Sequence, residues 1–290
     1  MRSIIKLLRV QQWYKNLVIF LALFFTKNLF NPELLLMTIL GFVSLCLISS
    51  SYYIINDIFD LSEDKEHPEK RKRPIASGRI SVRVGLAVSV ILAVLSIAIA
   101  YKLSPKFMLF PIALWVSSML YNIWFRHMAM IDIHIIALNF LIRAVSGAVL
   151  INVYTSPWLI TTVFFMSLFL AVGKRKADLG MLGQEVMKHR KVYSIYNQKL
   201  LDMMILVITA VLLLNYSLYT FFVHQEPYPY MMVTIPAVSF MVFRYLYLIS
   251  INHEAARKTH YVFYDKQMLA GLILWLITSF IAMYFLITKV

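Results

Sequence analysis

A short acidic stretch after a long apolar run holds the residues of this chain best suited to chemistry. Asn56, Asp57, Asp60 and Asp64 follow the apolar residues 35–55. On a continuous helix the three aspartates, spaced i, i+3 and i+7, would share one face, where their charges repel one another. Carboxylates at membrane depth are costly unless they are paired, solvated or coordinating a cation. Oxygen-only ligands suit Mg²⁺, which often completes its shell with substrate phosphates. The four residues therefore predict a magnesium–diphosphate site at a membrane surface.

The alternative interpretation of this stretch is a solvated helix end whose acids balance neighbouring bases. Those bases are Lys70, Arg71, Lys72 and Arg73, a few positions further on. Arginine is suited to bidentate contact with phosphate, so Arg71 and Arg73 are predicted to bind the phosphates of the same ligand. The bias of basic residues toward cytoplasmic loops would also place them here.

Other basic residues lie inside or at the end of later apolar runs. Arg143 lies within one run, where a charge is expected to face the bundle interior or a water-filled cavity. A buried ion pair with Asp132 is the alternative for Arg143. Lys174 and Arg175 end another run and are candidates for phosphate contact, although Lys174 can instead pair with Asp178 at i+4.

Two basic residues outside these groups have similar alternatives. Lys15 lies two positions after Trp13 and is either a phosphate ligand or an interfacial anchor. Arg244 lies inside a late apolar run, where it either reaches substrate or holds a structural contact.

The composition places the chain among polytopic, all-α membrane proteins. Of its 290 residues, 61% are hydrophobic and only 14% are charged, and the apolar runs approach the roughly 20 residues that a helix needs to cross a bilayer. The first run is short and interrupted at residues 26–28. It resembles the core of a signal peptide, but no small-residue cleavage site follows, so we expect a retained helix. About nine spans are predicted, over residues 16–30, 34–57, 82–101, 106–125, 130–153, 157–177, 200–223, 230–250 and 267–288.

The distribution of basic residues predicts the orientation. They cluster before the first span and in the segments that follow the second, sixth and eighth spans. The positive-inside rule then places the N-terminus and the long loops in the cytoplasm, on an inner (plasma) membrane. No linker or soluble segment interrupts the chain, so residues 1–290 are predicted to form one transmembrane catalytic domain. Cys46 is the only cysteine, which excludes a disulfide within the chain and a cysteine-based metal site.

The residues from Asn56 to Gly78 resemble the first motif of the UbiA superfamily of intramembrane prenyltransferases. After Asn56–Asp64 the chain continues Glu-His-Pro-Glu-Lys-Arg-Lys-Arg-Pro-Ile-Ala-Ser-Gly over residues 66–78. This resemblance implies a bundle of nine helices around a central cavity that opens sideways to lipid. It also implies that the first Asp-rich motif binds Mg²⁺ and a diphosphate.

Within the superfamily the chain resembles the polyprenyl-phosphate (decaprenyl-phosphate) phosphoribosyltransferases over nearly its whole length. The motifs that carry this are residues 12–16 (Gln-Trp-Tyr-Lys-Asn), Asp132 with residues 141–144, and residues 173–179, where Asp178 stands in place of an expected Glu. The resemblance implies Mg²⁺-dependent transfer of 5-phosphoribosyl from phosphoribosyl diphosphate to a polyprenyl phosphate for cell-wall or glycan synthesis. It implies no nucleic-acid partner and leaves homo-oligomerisation open. The implied substrate-binding residues are Lys15, Asn56, Arg71, Arg73, Tyr121, Lys174, Arg175, Asp178 and Arg244, and the implied catalytic residues are Asp57, Asp60, Asp64 and Arg143.

Two other functions stay open at this point. A prenyltransferase in the usual sense of the superfamily would move a prenyl group from its diphosphate to an aromatic or glycerol-phosphate acceptor. Aromatic prenyltransferases carry a second Asp-x-x-x-Asp motif in the second long loop. Here that loop is basic and has only Asp178 and Glu185. A transporter or lipid-binding protein is disfavoured because the charges cluster on one membrane face rather than forming a path across it.

Overall fold

The computed structural model describes residues 2–182, 191–222, 230–251, 253–257 and 264–286, and these residues form helices joined by short turns, without strands. The prediction of an all-α polytopic membrane protein is confirmed. Among the residues that the structure describes, eight helices, two of them extended by an adjoining 3₁₀ or π-helical turn, are long and apolar enough to cross a membrane. They are α1 (Pro32–Phe59), α2 (Val82–Leu103), α3 (Pro105–Ile123), α4 (Ile131–Leu150), α5 (Pro157–Leu182), α6 (Gln198–Phe222), α7 (Ile235–Ser250) and α8 (Lys266–Ile281).

Short helical segments connect and extend these eight helices. A 3₁₀ turn leads into α7, and a π-helical turn continues α8. The segments are Arg2–Leu7, Val10–Ile19, Phe20–Phe25, Leu61–Glu66, Lys70–Lys72, Phe125–His127, Lys191–Ser194, Tyr230–Thr234, Glu254–Arg257 and Ala282–Leu286. Residues 183–190 of the predicted second long loop, including Glu185, lie outside the described residues.

The first predicted span, residues 16–30, is not one continuous α-helix. A 3₁₀ helix covers Val10–Ile19, and a six-residue α-helix covers Phe20–Phe25. This segment runs antiparallel to α1: Asn16 donates to Ser49, 3.4 Å away, and Phe20 lies against Phe42, with ring centroids 5.8 Å apart. A 3₁₀ helix rises about 2.0 Å per residue, more than an α-helix. The segment therefore covers a long stretch of α1 with few residues.

Local sequence signals explain where α1 begins and how it meets α2. Asn31 caps α1 by accepting from the amide of Leu34 at 3.2 Å, and Pro32 follows at the first helical position. Serines join the two helices twice, through Ser44 with Ser96 and through Ser51 with Ser89, each pair of hydroxyls 3.0 Å apart. Small polar residues allow close approach of the helices and satisfy one another inside the apolar layer. This packing holds the C-terminal end of α1 in place.

The chain divides into two compact units. The first comprises Met1–Ile123 with Ile142–Tyr154, and the second comprises Trp124–Leu141 with Thr155–Val290. Helix α4 contributes to both, because the boundary falls between Leu141 and Ile142. Buried charges occur in both units and are described below. A single catalytic domain over residues 1–290 stays a prediction.

Candidate functional site

The acidic stretch of the first unit is divided between two helices, where the sequence predicted a span ending at residue 57. Helix α1 ends at Phe59, Asp60 adopts a non-helical capping conformation, and a separate helix covers Leu61–Glu66. The three aspartates therefore do not lie on one unbroken helix, although the backbone amides of Asp60 and Asp64 still donate to the carbonyls four residues earlier, as in a helix. Asp57 and Asp64 are nonetheless both buried, at 2% and 0% exposure, whereas Asp60 is half-buried at the bend.

A single guanidinium nitrogen joins the two buried carboxylates. Nη1 of Arg73 donates to Oδ1 of Asp57 at 3.0 Å and to Oδ2 of Asp64 at 2.6 Å. Arg9 forms a second ion pair with Oδ1 of Asp57, and its guanidinium lies 4.9 Å from the ring centroid of Tyr53. Nζ of Lys70 is 3.9 Å from Oδ1 of Asp64. The carboxylates are thus held by cations from two other segments of the chain.

Apolar contacts bring those segments together. Leu7, Ile54 and Ile75 form a small core cluster that joins the N-terminal helix, α1 and the loop after the acidic stretch. Ile54 lies one turn before Asp57, so the cluster places both arginines beside the carboxylate. Arg73 has the extended backbone expected of a residue before proline. The hydrophobic anchors therefore position Arg73 for its two ion pairs.

The donor set fits a hard divalent cation at this position. Oδ1 of Asp64 is buried and has no hydrogen-bond partner, and such an oxygen is satisfied by a positive ligand. Burial raises the pKa of Asp64, while the neighbouring Arg73 acts in the opposite direction. No group of three or more His, Cys, Asp or Glu side chains capable of holding a metal occurs among the residues that the structure describes. A metal site formed by Asp57 and Asp64 with neighbouring oxygens stays a prediction.

Asn56 supplies such an oxygen. Its Oδ1 accepts a hydrogen bond from Nδ2 of Asn122 on α3. Asn122 was not predicted as a site residue. Its amide fixes the orientation of the Asn56 side chain directly beside Asp57.

A second set of cations in the first unit surrounds Asn16 and Tyr52. Arg143, only 3% exposed, donates through Nε to Oδ1 of Asn16 at 2.7 Å and through Nη2 to the hydroxyl of Tyr52 at 2.9 Å. The alternative prediction, an ion pair between Arg143 and Asp132, is wrong. Both of these partners are uncharged oxygen acceptors.

Lys15 lies in the same cluster. Burial lowers the pKa of Lys15 to about 8; the charges of Arg143 and Arg9 act in the same direction, while Tyr52 and Tyr121 oppose it. Mutual repulsion of like charges in a buried place indicates a site built for an anion. Arg143 and Tyr121 are thus near enough to Lys15 to influence its charge; that the three residues bind substrate stays a prediction.

The charges of the second unit form a different network. Arg175, 3% exposed, donates to Oδ2 of Asp132 through Nε at 3.1 Å and Nη2 at 2.9 Å, and to the hydroxyl of Tyr193 at 2.9 Å. Tyr193 donates to Asp178 at 2.6 Å, and Tyr196 donates to Oδ1 of Asp132 at 2.6 Å. These bonds commit Arg175 to protein acceptors rather than to the predicted phosphate contact.

The other predicted site residues of this group, Lys174, Arg71, Arg244 and Asp178, lie either exposed or in ion pairs. Lys174 and Arg71 are exposed. Arg244 forms a bidentate ion pair with Asp265 through Nε at 3.2 Å and Nη2 at 2.7 Å. This pair lines an open cleft of about 700 Å³ together with Lys266. Asp178 also lies 3.5 Å from Nε of Arg257.

Four residues of the first-unit clusters were missed as binding residues: Arg9, Asn16, Tyr52 and Asn122. From the sequence, Arg9 was considered only as one of the basic residues that set the membrane orientation. It adopts a left-handed backbone conformation, with φ of 49°, that no local sequence pattern predicts. Asn16 and Tyr52 are ordinary polar residues of apolar segments. The sequence signal available for these two residues was their spacing, because Asn16 directly follows Lys15 and Tyr52 lies one helical turn before Asn56.

Comparison with known proteins agrees with this architecture. The UbiA prenyltransferase family matches residues 16–268. The decaprenyl-phosphate phosphoribosyltransferase of Mycobacterium tuberculosis is 30% identical over 223 residues, 76% of this chain and 74% of that protein. The protein of the same name from Corynebacterium glutamicum is 31% identical over 228 residues, 77% of this chain and 69% of that protein.

A solved structure extends the comparison to the fold. A UbiA homolog from Archaeoglobus fulgidus bound to DMAPP and Mg²⁺ matches with a TM-score of 0.71 at 17% identity, covering 96% of this chain and 98% of that chain. Because the family match extends over residues 16–268 and the relatives align over 76% of the sequence or more, the chain belongs to the UbiA prenyltransferase family.

Proposed function

We propose that this chain transfers 5-phosphoribosyl from phosphoribosyl diphosphate to a polyprenyl phosphate and releases diphosphate. The observation that carries the proposal is the similarity, at 30% identity over 76% of the chain, to a decaprenyl-phosphate phosphoribosyltransferase. The cation clusters of the first unit support it, because both substrates carry phosphate groups and the donor carries them at two ends.

The buried cations are assigned to those phosphates. Arg143 and Lys15 share one cluster, with Tyr121 close to the lysine. Guanidinium and ammonium groups in a partly dry site bind phosphate through charge-assisted hydrogen bonds. Arg71, which is exposed, is assigned to the mouth of the first-unit site, and Lys174, exposed on α5 of the second unit, stays a candidate for phosphate contact. For Arg175, Asp178 and Arg244 the ion pairs favour a positioning role over direct contact.

Asp57, Asp64 and Asn56 are the residues that would hold Mg²⁺, with Asp60 next to them at the bend. The buried Oδ1 of Asp64, which accepts no hydrogen bond, supports this assignment. When bound, the ion would neutralise charge on the leaving diphosphate.

The proposed reaction requires little covalent chemistry from the protein. An oxygen of the polyprenyl phosphate forms a bond to C1 of the ribose, while the bond from C1 to the diphosphate oxygen breaks and diphosphate leaves with the electron pair. Such a centre passes through an oxocarbenium-like state. A phosphate monoester has a second pKa of roughly 6, so the acceptor is ionised at neutral pH and needs no general base. The residues of the site therefore act by positioning and by charge.

The protein is an integral membrane protein, given its eight apolar helices and its family. We assign the N-terminus and the loops after α1 and α5 to the cytoplasmic side of the inner membrane, because basic residues concentrate there. Phosphoribosyl diphosphate, which is soluble, would then reach the site from the cytoplasm, and the polyprenyl phosphate from the lipid.

The direct test is conversion of a radiolabelled donor. Purified protein in detergent, with Mg²⁺, labelled phosphoribosyl diphosphate and a polyprenyl phosphate, is expected to place label in the lipid extract, and chelation of the metal is expected to prevent it. Asp57→Asn and Asp64→Asn are expected to abolish transfer in monodisperse protein. Prenyl phosphates of several lengths would then define the acceptor.

The competing function gives a different outcome in a matched assay. If geranylgeranyl diphosphate with an aromatic or glycerol-phosphate acceptor gives product and phosphoribosyl diphosphate gives none, the proposal is wrong. Protection from unfolding adds a test that needs no acceptor, because a ligand stabilises the folded state according to its concentration relative to Kd. With Mg²⁺ present, phosphoribosyl diphosphate is expected to raise the melting temperature more than geranylgeranyl diphosphate does at equal concentration.

A further inference from the structure

We propose that Arg73 competes with the divalent cation for Asp57 and Asp64, so that metal and diphosphate bind together and either one alone binds weakly. This inference rests on the proposed function, because it takes these two carboxylates as the metal site. It adds to that function an exchange of two cations, in which the metal ion replaces the side chain of Arg73 on the loop that follows the acidic stretch.

The geometry makes the two occupants mutually exclusive. Nη1 of Arg73 lies 3.0 Å from Oδ1 of Asp57 and 2.6 Å from Oδ2 of Asp64. A divalent cation held by Asp57 and Asp64 would have to share them with a guanidinium that already contacts both carboxylates. Arg73 would therefore have to give up one or both of these ion pairs for the cation to be held by both residues.

The charge balance opposes entry of the metal by itself. Two buried carboxylates face three cationic side chains, since Arg9 and Arg73 pair with Asp57 and Nζ of Lys70 lies 3.9 Å from Asp64. With the half-buried Asp60 beside them, the charges of this cluster are already balanced, so a divalent cation without a counter-ion would create an excess of positive charge in a partly buried place, which is costly. A diphosphate that arrives with the metal removes that excess.

The displaced side chain has an obvious new partner. A guanidinium contacts phosphate in a bidentate manner more readily than an ammonium does. Arg73 is 26% exposed, and the loop that carries it is anchored separately by the buried Ile75. The side chain can therefore turn from carboxylate to phosphate while the loop backbone stays in place. In this scheme Arg73 is the internal cation that a metal–diphosphate pair displaces.

The coupling between metal and diphosphate is reciprocal, and its size is measurable as a ratio of affinities. Mn²⁺, which prefers the same oxygen ligands as Mg²⁺, serves as the probe because its binding is followed by electron paramagnetic resonance. Detergent-solubilised protein is first stripped with a chelator. Binding is then measured with and without inorganic pyrophosphate, with free Mn²⁺ buffered to equal values in both series. Monodispersity is checked for each variant.

Wild-type protein is expected to bind Mn²⁺ weakly alone and about 10- to 100-fold more tightly with pyrophosphate, within the usual range of such couplings. Arg73→Gln is expected to bind Mn²⁺ alone about tenfold more tightly than wild type, and to gain less from pyrophosphate. Lys70→Gln removes the same charge without removing the bridging nitrogen, and is expected to change the affinity for Mn²⁺ alone much less.

The inference is overturned if wild type binds Mn²⁺ equally well with and without pyrophosphate, a result that needs no variant to fold. It is also overturned if Arg73→Gln binds Mn²⁺ alone no more tightly than Lys70→Gln. Failure of the metal assignment would look different: Asp57→Asn and Asp64→Asn would bind Mn²⁺ with pyrophosphate as well as wild type does.

Discussion

Replacement of Arg175 by methionine is expected to lower the stability of the folded protein far more than its affinity for phosphate. The sequence suggests a phosphate contact for this residue, whereas in the structure it is 3% exposed and paired with Asp132, which is fully buried. Methionine keeps most of the apolar volume of the side chain and removes its charge. The substitution therefore isolates the ion pair.

The size of the stability loss follows from the contacts that Asp132 keeps after the substitution. Oδ2 of Asp132 loses both guanidinium contacts, at 3.1 and 2.9 Å, and the carboxylate keeps the hydroxyl of Tyr196 at Oδ1. Removing one partner of a buried pair costs about 3–5 kcal/mol, because the other charge is left uncompensated. For a chain of this size that corresponds to a fall in apparent melting temperature on the order of 10 °C.

Thermal unfolding in detergent, with steady-state kinetics on the same samples, measures both quantities. Lys176→Gln is the matched control on the same helix, because it breaks an ion pair whose partner, Asp202, is 55% exposed. Such a pair contributes about 0–1 kcal/mol. Adding Asp132→Asn to the Arg175→Met protein is expected to recover part of the loss, since it removes the orphaned charge.

The opposite pattern would refute the structural role. If Arg175→Met melts with the wild-type protein while its KM for phosphoribosyl diphosphate rises about tenfold or more, a loss of roughly 1.4 kcal/mol or more in binding, the guanidinium contacts substrate and the ion pair does not matter for folding.

Three further predictions concern the first unit. Since the pKa of Lys15 is lowered to about 8, its charge is lost as pH rises through that value, so KM for phosphoribosyl diphosphate should rise between pH 7 and 9.5. Lys15→Arg keeps the charge and should flatten that rise. An unchanged pH dependence of KM in Lys15→Arg would exclude Lys15 as the phosphate-binding group. Arg143→Met removes a cation proposed to contact phosphate and should lower kcat/KM about 10- to 100-fold, because charged hydrogen bonds contribute about 1.5–3 kcal/mol. Its partners Asn16 and Tyr52 are neutral, so the melting temperature should fall less than in Arg175→Met, which leaves a buried carboxylate behind. Unchanged kinetics would contradict its place in the site. Gly147→Ala would place a methyl group against the carbonyl oxygen of Ile19 and should lower the free energy of unfolding by about 1–3 kcal/mol. The methyl group of the control Gly85→Ala would meet side chains alone, the nearest being that of Ile75 at 3.1 Å. Equal melting temperatures of the two variants would contradict the close packing at Gly147.

The sequence by itself determined the class of fold and the location of the acidic site. Long apolar runs have few alternatives in a bilayer, because backbone polar groups must be satisfied within each segment. Eight of the predicted spans correspond to long helices for this reason. The residues from Asn56 to Gly78 likewise identified the family, since they combine carboxylates, bases and prolines at fixed spacing.

Only the tertiary structure decided which charges meet. Arg143 bonds Asn16 from 127 positions away, and Arg175 bonds Asp132 from 43 positions away. Each arginine had plausible partners in the sequence, and helix packing selected among them. The bend at Asp60 and the left-handed backbone of Arg9 are equally non-local in origin. Apolar periodicity specifies which segments are helical, but an ion pair depends on the distance between side chains of different segments, which packing alone fixes.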